Sequence, residues 1–108
     1  MIKTLKFNDK TIIDVFIADS FGKRLFGYMF RKEPHHGAIL LKPCNSIHTF
    51  FMKFNIDVLF INEHMQVIKK IENLKPRQVV TKVKGAREVL ESKAGLFSNI
   101  KEGCKLYF

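Results

Sequence analysis

The sequence predicts a small α+β domain that is mostly β, with one main helix near residues 20–30. Its sheet is expected to be curled and barrel-like, antiparallel or mixed, with about seven or eight short strands. Two observations predict this class: short apolar segments separated by turn residues, which are typical of strands, and a single segment with helical spacing. The length of 108 residues is that of one domain, so residues 1–108 are expected to form a single compact unit.

Two strands are predicted at the N-terminus, over residues 1–7 and 11–18. The polar turn Asn8-Asp9-Lys10 joins them. In the second strand, Ile13 and Val15 flank a polar residue, which is the period of two that a half-buried strand requires.

The predicted helix follows the second strand. Asp19 or Ser20 is suited to cap its N-terminus. Apolar residues then recur at helical spacing from Phe21 through about Phe30. Gly27 inside this helix costs stability, so we expect it to mark the close approach of another backbone.

The remainder of the chain is predicted to form short strands separated by loops. Residues 31–37 are expected to be a loop, and residues 92–100 have room for one helical turn. The predicted strands are residues 37–42, 47–54, 57–62, 66–71, 78–84 and 104–108. Gly85 breaks the strand at 78–84, and residues 87–91 are either a further strand or its continuation.

The chain is basic, with a formal net charge of +9, and its densest basic segment is Lys69–Arg87. Within this segment the Lys and Arg residues are opposed only by Glu72. A basic face attracts phosphate groups. Because no aromatic residues are interleaved to stack on bases, we favour a solvated strand face. Nucleic-acid binding through this segment is kept as an alternative.

The composition also bears on location. The strongly apolar runs, such as VLFI at residues 58–61, are far too short to span a bilayer, and the N-terminus has no apolar signal segment. We therefore expect a cytoplasmic protein without membrane association. In that compartment Cys44 and Cys104 are expected to be reduced thiols.

The most apolar part of the chain, residues 46–61, contains His48, Lys53 and Asp57. If residues 47–54 form a strand, His48 lies in a row of large apolar side chains. Asp57 then begins the next strand. A histidine and a carboxylate in a stretch of this kind either stabilise the fold or form a site.

A metal site is not expected here. Cys44, His48 and Met52 are spaced by four residues, a separation of about 13 Å on a strand. That distance is too long for one metal ion, and it also argues against a nucleophile pair of Cys44 and His48. No cofactor is expected either.

His48 and Asp57 each allow two interpretations. In the structural one, Asp57 accepts backbone N–H bonds and pins a turn, and His48 is a hydrogen-bonded core residue. In the functional one, the two residues face a shared pocket as acid, base or ligand anchor. We favour the structural interpretation because turn-forming aspartates are common, and we keep the other open.

Five motifs stand in order along nearly the whole chain: RLFGYMFR (24–31), SIHTFFM (46–52), IDVLFIN (56–62), VLESKAG (89–95) and IKEG (100–103). In this order they resemble the bacterial and archaeal family called domain of unknown function 192. The resemblance implies a compact β-rich domain and implies no activity. Two positions depart from the family pattern. Asn55 replaces the usual proline before the Ile-Asp pair, and Cys104 stands where an aspartate is usual.

The resemblance also marks polar signature positions, which either lock the fold or line a site. These positions are Arg24, Arg31, His48, Thr49, Asp57 and Glu91. The simplest fold-locking arrangement would pair one of the two arginines with Asp57 or Glu91.

The leading hypothesis is a non-enzymatic binding or accessory module with a shallow polar and apolar pocket near His48–Asp57. Its ligand-binding residues would be Arg24, His48, Thr49, Met52, Asp57 and Glu91. The partner is an unidentified small molecule or protein, and the oligomeric state is open. The alternative is a hydrolase-like enzyme in which His48 acts as the base and Asp57 orients it, although no serine lies in a nucleophile-elbow pattern.

Overall fold

The computed structural model describes residues 2–7, 11–20 and 37–107, and these residues form eight β-strands. The strands are β1 (Ile2–Phe7), β2 (Thr11–Ala18), β3 (Ala38–Leu41), β4 (Ile47–His48), β5 (Ile56–Ile61), β6 (Val67–Leu74), β7 (Val79–Val80) and β8 (Glu88–Lys93). The helix predicted near residues 20–30 lies outside the described residues, apart from residue 20. The loop predicted over residues 31–37 also lies outside them, apart from residue 37.

Six of the strands form one mixed sheet in the order β1-β2-β3-β8-β5-β6. β2 and β3 run parallel, and every other neighbouring pair in this sheet runs antiparallel. β4 and β7 form a separate two-stranded antiparallel sheet. Because β8 lies between β3 and β5, Glu91 sits at the centre of the large sheet, beside Ile39 and Val58.

The predicted fold class, α+β with a barrel-like sheet, is wrong for the part of the chain that the structure describes. That part contains strands and turns but no helix. The sheet is also open, because its edge strands β1 and β6 do not pair with each other. The C-terminal segment meets them through isolated bridges, Lys6–Tyr107 and Gln66–Lys105, and not as a continuous strand. A closed barrel requires continuous pairing around the ring. Likewise, no helix in the described ranges has the length and apolar character needed to cross a lipid bilayer.

The helical turn predicted within residues 92–100 does not form. Residues 94–99 are a series of turns, and Gly95 has a φ of 95°, outside the helical region. The physical reason is tertiary. The carboxylate of Asp57 accepts hydrogen bonds from the backbone N–H groups of Gly95 and Phe97 and holds them in a non-helical arrangement.

The strand predicted over residues 47–54 ends at His48. Thr49 begins a turn, in which its carbonyl accepts a hydrogen bond from the N–H of Met52 at 3.2 Å. The predicted row of side chains from His48 onward is therefore broken. Met52 is buried, whereas Phe50 and Phe51 are 42% and 60% exposed.

Successive residues of each strand point to opposite sides of the large sheet. Other parts of the chain pack against both of its faces. On the first face, Leu59 and Ile61 of β5 pack with Phe97, Ile100 and Leu106 from the C-terminal segment. On the second face, the neighbouring β5 side chains pack with residues of the small sheet and its loops. These second-face residues include Val58, Phe60, Ile47, Met52 and Ala86. Burying each such side chain contributes roughly 1.5–3 kcal/mol, so both coverings stabilise the sheet.

Candidate functional site

Thr49 fixes the segment after β4 against residues 75–78. Its side chain is fully buried, and its hydroxyl donates to the carbonyl of Lys75 at 2.7 Å and accepts from the N–H of Gln78 at 2.8 Å. Its backbone N–H donates to the carbonyl of Gln78, and its carbonyl accepts from the N–H of Arg77 at 3.1 Å. Thr49 thus holds two loops together as one unit.

Two residues of this unit adopt the left-handed backbone conformation, Phe51 with a φ of 66° and Arg77 with a φ of 65°. For a residue with a side chain, this conformation costs on the order of 1 kcal/mol or more. It persists only where neighbouring contacts over-determine it. The hydrogen bonds of Thr49 are such contacts, because they hold the backbone on both sides.

The two loops line an open pocket with a volume of about 670 Å³. We call it the aromatic pocket, and the described residues that line it are Phe50, Phe51, Met52, Lys53 and Arg77. Of these described residues, three contribute apolar side chains and the two charged ones are cationic. The volume lies within the range of small-molecule sites, about 300–1,000 Å³.

His48 adjoins the aromatic pocket through Phe50, whose ring centroid lies 5.7 Å from that of the imidazole at an interplanar angle of 37°. Its Nδ1 atom is buried and has no hydrogen-bond partner among the described residues. The hydrogen bond expected of a core histidine is therefore missing at this atom. An unsatisfied buried polar atom costs about 1–3 kcal/mol, and such atoms often mark functional positions.

Asp57 is buried and fully engaged by backbone groups. Its Oδ1 accepts from the N–H of Asn73 at 2.9 Å, and its Oδ2 accepts from those of Gly95 at 2.9 Å and Phe97 at 3.3 Å. Hydrogen bonds to an ionised carboxylate are among the stronger ones in proteins. The arrangement is the one described by the structural interpretation of Asp57, a carboxylate that pins turns.

Glu91 lies on the second face of the sheet, on the same side of β8 as Val89. It is 2% exposed, and burial raises the pKa of its carboxyl group to about 8. Asp57 points to the first face, where Phe97 packs. The sheet itself therefore separates these two carboxyl groups, and they do not share one pocket.

The predicted site residues thus occupy several environments. His48 and Met52 lie at the aromatic pocket, Thr49 and Asp57 hold loops and turns, and Glu91 lies within the sheet. Arg24, and with it Arg31, falls outside the described residues.

The thiol of Cys44 donates to the carbonyl of Ser46 at 3.0 Å. Within the described ranges, no group of three or more His, Cys, Asp or Glu residues is placed to hold a metal ion.

The sequence reasoning missed Phe50, Phe51 and Arg77 as pocket residues. A signal for the phenylalanines was present. Two adjacent large side chains on a strand point to opposite faces, so burying both would need apolar partners on each side. No comparable sequence signal marks Arg77, because its place in the pocket depends on the hydrogen bonds of Thr49.

Comparisons with known proteins agree with these motifs. The model of the family DUF192, described as Uncharacterized ACR, matches residues 3–108. A UPF0127 protein of Pyrococcus horikoshii is 38% identical over 93 residues, covering 82% of this chain and 79% of that protein. A UPF0127 protein of Pyrococcus abyssi is 36% identical over 99 residues, covering 87% and 80%.

The fold is also similar to a solved structure, that of a protein of unknown function from Novosphingobium aromaticivorans. The TM-score is 0.86 at 18% sequence identity, covering 99% of this chain and 85% of that one. At this identity the similarity concerns the fold alone. The family match spans nearly the whole chain and confirms the resemblance found in the motifs: this chain belongs to the DUF192 family.

Proposed function

We propose that this protein is a non-enzymatic binding module that acts as a single cytoplasmic domain and binds its ligand in the aromatic pocket. The observation that carries the proposal is the exposure of Phe50 and Phe51 on a turn that Thr49 holds in place. Exposed aromatic rings contribute to binding when a ligand removes them from water. The cytoplasmic location is supported by the cysteine usage of the sequence, because small secreted domains are rich in disulfides and this chain has two cysteines far apart in sequence.

The pocket is suited to binding because its shape exists before the ligand arrives. The backbone of Phe51 and Arg77 is constrained in an unfavourable conformation, and the hydrogen bonds of Thr49 connect the two loops. A preorganised pocket loses little conformational entropy on binding. His48 adds a buried ring nitrogen beside Phe50 that has no partner among the described residues.

A hydrolase that uses His48 and Asp57 has less support. Both oxygens of Asp57 already accept backbone hydrogen bonds from Asn73, Gly95 and Phe97. A carboxylate that orients a histidine must accept from the ring N–H. Purified protein tested on ester, phosphate and glycoside substrates would revive this alternative if turnover is seen and His48→Ala abolishes it.

Nucleic-acid binding through Lys69–Arg87 also has less support, because two of its cations lie next to carboxylates and a third lines the aromatic pocket. Lys70 contacts the carboxylate of Glu72 at 2.6 Å, and Arg87 lies 3.6 Å from that of Glu63. Arg77 lines the aromatic pocket. Binding to a DNA or RNA duplex that weakens steeply as salt rises would favour this alternative.

The proposal is tested by titrating the ¹⁵N-labelled protein with a library of metabolites and peptides and following backbone amide shifts. We expect shifts to concentrate at residues 48–53 and 77. The variant Phe51→Ala should lose them while remaining folded, because the side chain is exposed. Tyr107→Ala is the matched control, since it removes another exposed aromatic ring. Shifts that avoid residues 48–53, or that survive Phe51→Ala, would refute the proposal.

A further inference from the structure

The charges of the aromatic pocket narrow the chemistry of its ligand. Among the described residues that line it, the charged ones are Lys53 and Arg77, which are both cations, and none is a carboxylate. Both side chains belong to exposed residues. A ligand with an anionic group would therefore gain favourable electrostatic interactions here, and a cationic ligand would be repelled.

The cations are also available to a ligand. Among the described residues, no carboxylate forms an ion pair with Arg77 or Lys53, whereas Lys70 and Arg87 of the same basic segment contact Glu72 and Glu63. A guanidinium group binds a carboxylate or a phosphate through two parallel hydrogen bonds. Arg77 thus has the chemistry to fix the orientation of an anionic group.

The backbone segments of Arg77 and of the phenylalanines are connected by hydrogen bonds to Thr49. The N–H of Arg77 donates to the carbonyl of Thr49, and the same carbonyl accepts from the N–H of Met52. The backbone that carries the guanidinium is thereby fixed relative to the backbone that carries Phe50 and Phe51. An apolar surface next to a cation favours a molecule that has both an apolar body and an anionic group.

We propose that the ligand of the aromatic pocket is a small organic acid, with an apolar body against Phe50 and Phe51 and a carboxylate or phosphate group on Arg77 and Lys53. This inference rests on the proposed function and specifies its ligand class. The apolar contact supplies affinity through area removed from water. The charge contact supplies selectivity.

The test uses a matched pair of probes, phenylacetate and its neutral amide phenylacetamide, with affinities measured from amide shifts at residues 48–53. We expect phenylacetate to bind at least about tenfold more tightly, the selectivity that about 1.4 kcal/mol provides. Arg77→Gln should remove this difference, and Lys53→Gln should reduce it. Phenyl phosphate, measured in parallel, distinguishes a phosphate preference from a carboxylate preference.

Arg87→Gln is the control variant, because it removes an exposed cation from the same segment but not from the pocket. It should leave the preference for phenylacetate unchanged. Equal affinities for the two probes, or a preference that survives Arg77→Gln, would overturn the inference. If the amide binds as well as the acid and Phe51→Ala abolishes both, the binding function stands and only the ligand class fails. If neither probe nor any library compound shifts residues 48–53, the proposed function fails with it.

Discussion

The carboxylate of Asp57 in β5 accepts a hydrogen bond from the backbone N–H of Gly95 at 2.9 Å, across 38 residues of sequence. The same carboxylate accepts from the N–H of Asn73, near the end of β6, at 2.9 Å. One side chain therefore joins β5 to the turn after β8 and to the edge strand β6. Both Asn73 and Gly95 have positive φ, with values of 54° and 95°, so the carboxylate stabilises backbone that is otherwise unfavourable or irregular.

Asp57→Asn should destabilise the protein by about 2–4 kcal/mol, because the amide N–H₂ group replaces an acceptor and faces a buried N–H donor. Urea denaturation followed by circular dichroism measures this loss. Asp14→Asn, an exposed change in β2, is the control and should stay within about 0.5 kcal/mol of the wild type. An equal effect of the two variants would contradict the structural role of Asp57.

Thr49→Val should cost about 2–3 kcal/mol, since it keeps the shape of the side chain but leaves the N–H of Gln78 and the carbonyl of Lys75 without their hydroxyl partner. Because Thr49 holds the pocket loops, the variant should also weaken ligand binding. Thr49→Ser retains the hydroxyl and should restore most of both properties. Chemical denaturation and amide-shift titration provide the two measurements, and a Ser variant as impaired as the Val variant would argue against the hydroxyl.

Substitutions at Phe51 should separate stability from binding. Phe51 has a φ of 66°, which glycine adopts without steric cost. We therefore expect Phe51→Gly to be more stable than Phe51→Ala by about 1 kcal/mol. Both variants lack the ring and should lose ligand. Thermal unfolding scans of the two purified variants provide the comparison, and a less stable glycine variant would show that the left-handed conformation is not strained.

Glu91 should make stability depend on pH. Burial raises its folded-state pKa to about 8, above the ordinary value of 4.5, so between these values the folded protein binds a proton that the unfolded chain releases. The contribution of Glu91 to the free energy of unfolding should therefore be highest below about pH 4.5. It should fall as pH rises from there to about 8. The slope has an upper limit of about 1.4 kcal/mol per pH unit.

The test for Glu91 is urea denaturation at several pH values between 5 and 8, at constant ionic strength. Glu91→Gln keeps the size of the side chain and cannot ionise, so its stability should change less over this range. The difference between the two slopes isolates the contribution of Glu91 from those of other groups. Parallel curves for wild type and variant would rule out a raised pKa at this position.

The local pattern of residues in the sequence was sufficient to predict several strands. The predicted strands at residues 1–7 and 11–18 correspond to β1 and β2, and the strand predicted at 57–62 corresponds to β5 within one residue at each end. These segments combine β-forming residues with clear turn signals at their ends, so local preference and the final fold agree. The strand at 47–54 failed because its boundary is set by hydrogen bonds from Thr49 to residues 75–78, which lie far away in sequence.

The sequence by itself determined the family and the β-rich character, since motif order and residue types are properties of the linear chain. Only the tertiary structure decided the role of each position. Asp57 and Glu91 point to opposite faces of one sheet. The hydroxyl of Thr49 forms hydrogen bonds with two backbone groups that are distant in sequence. Phe51 and Arg77 meet at one pocket because those bonds bring their loops together. The reason is physical: which groups satisfy a buried polar atom depends on chain segments that become neighbours only on folding.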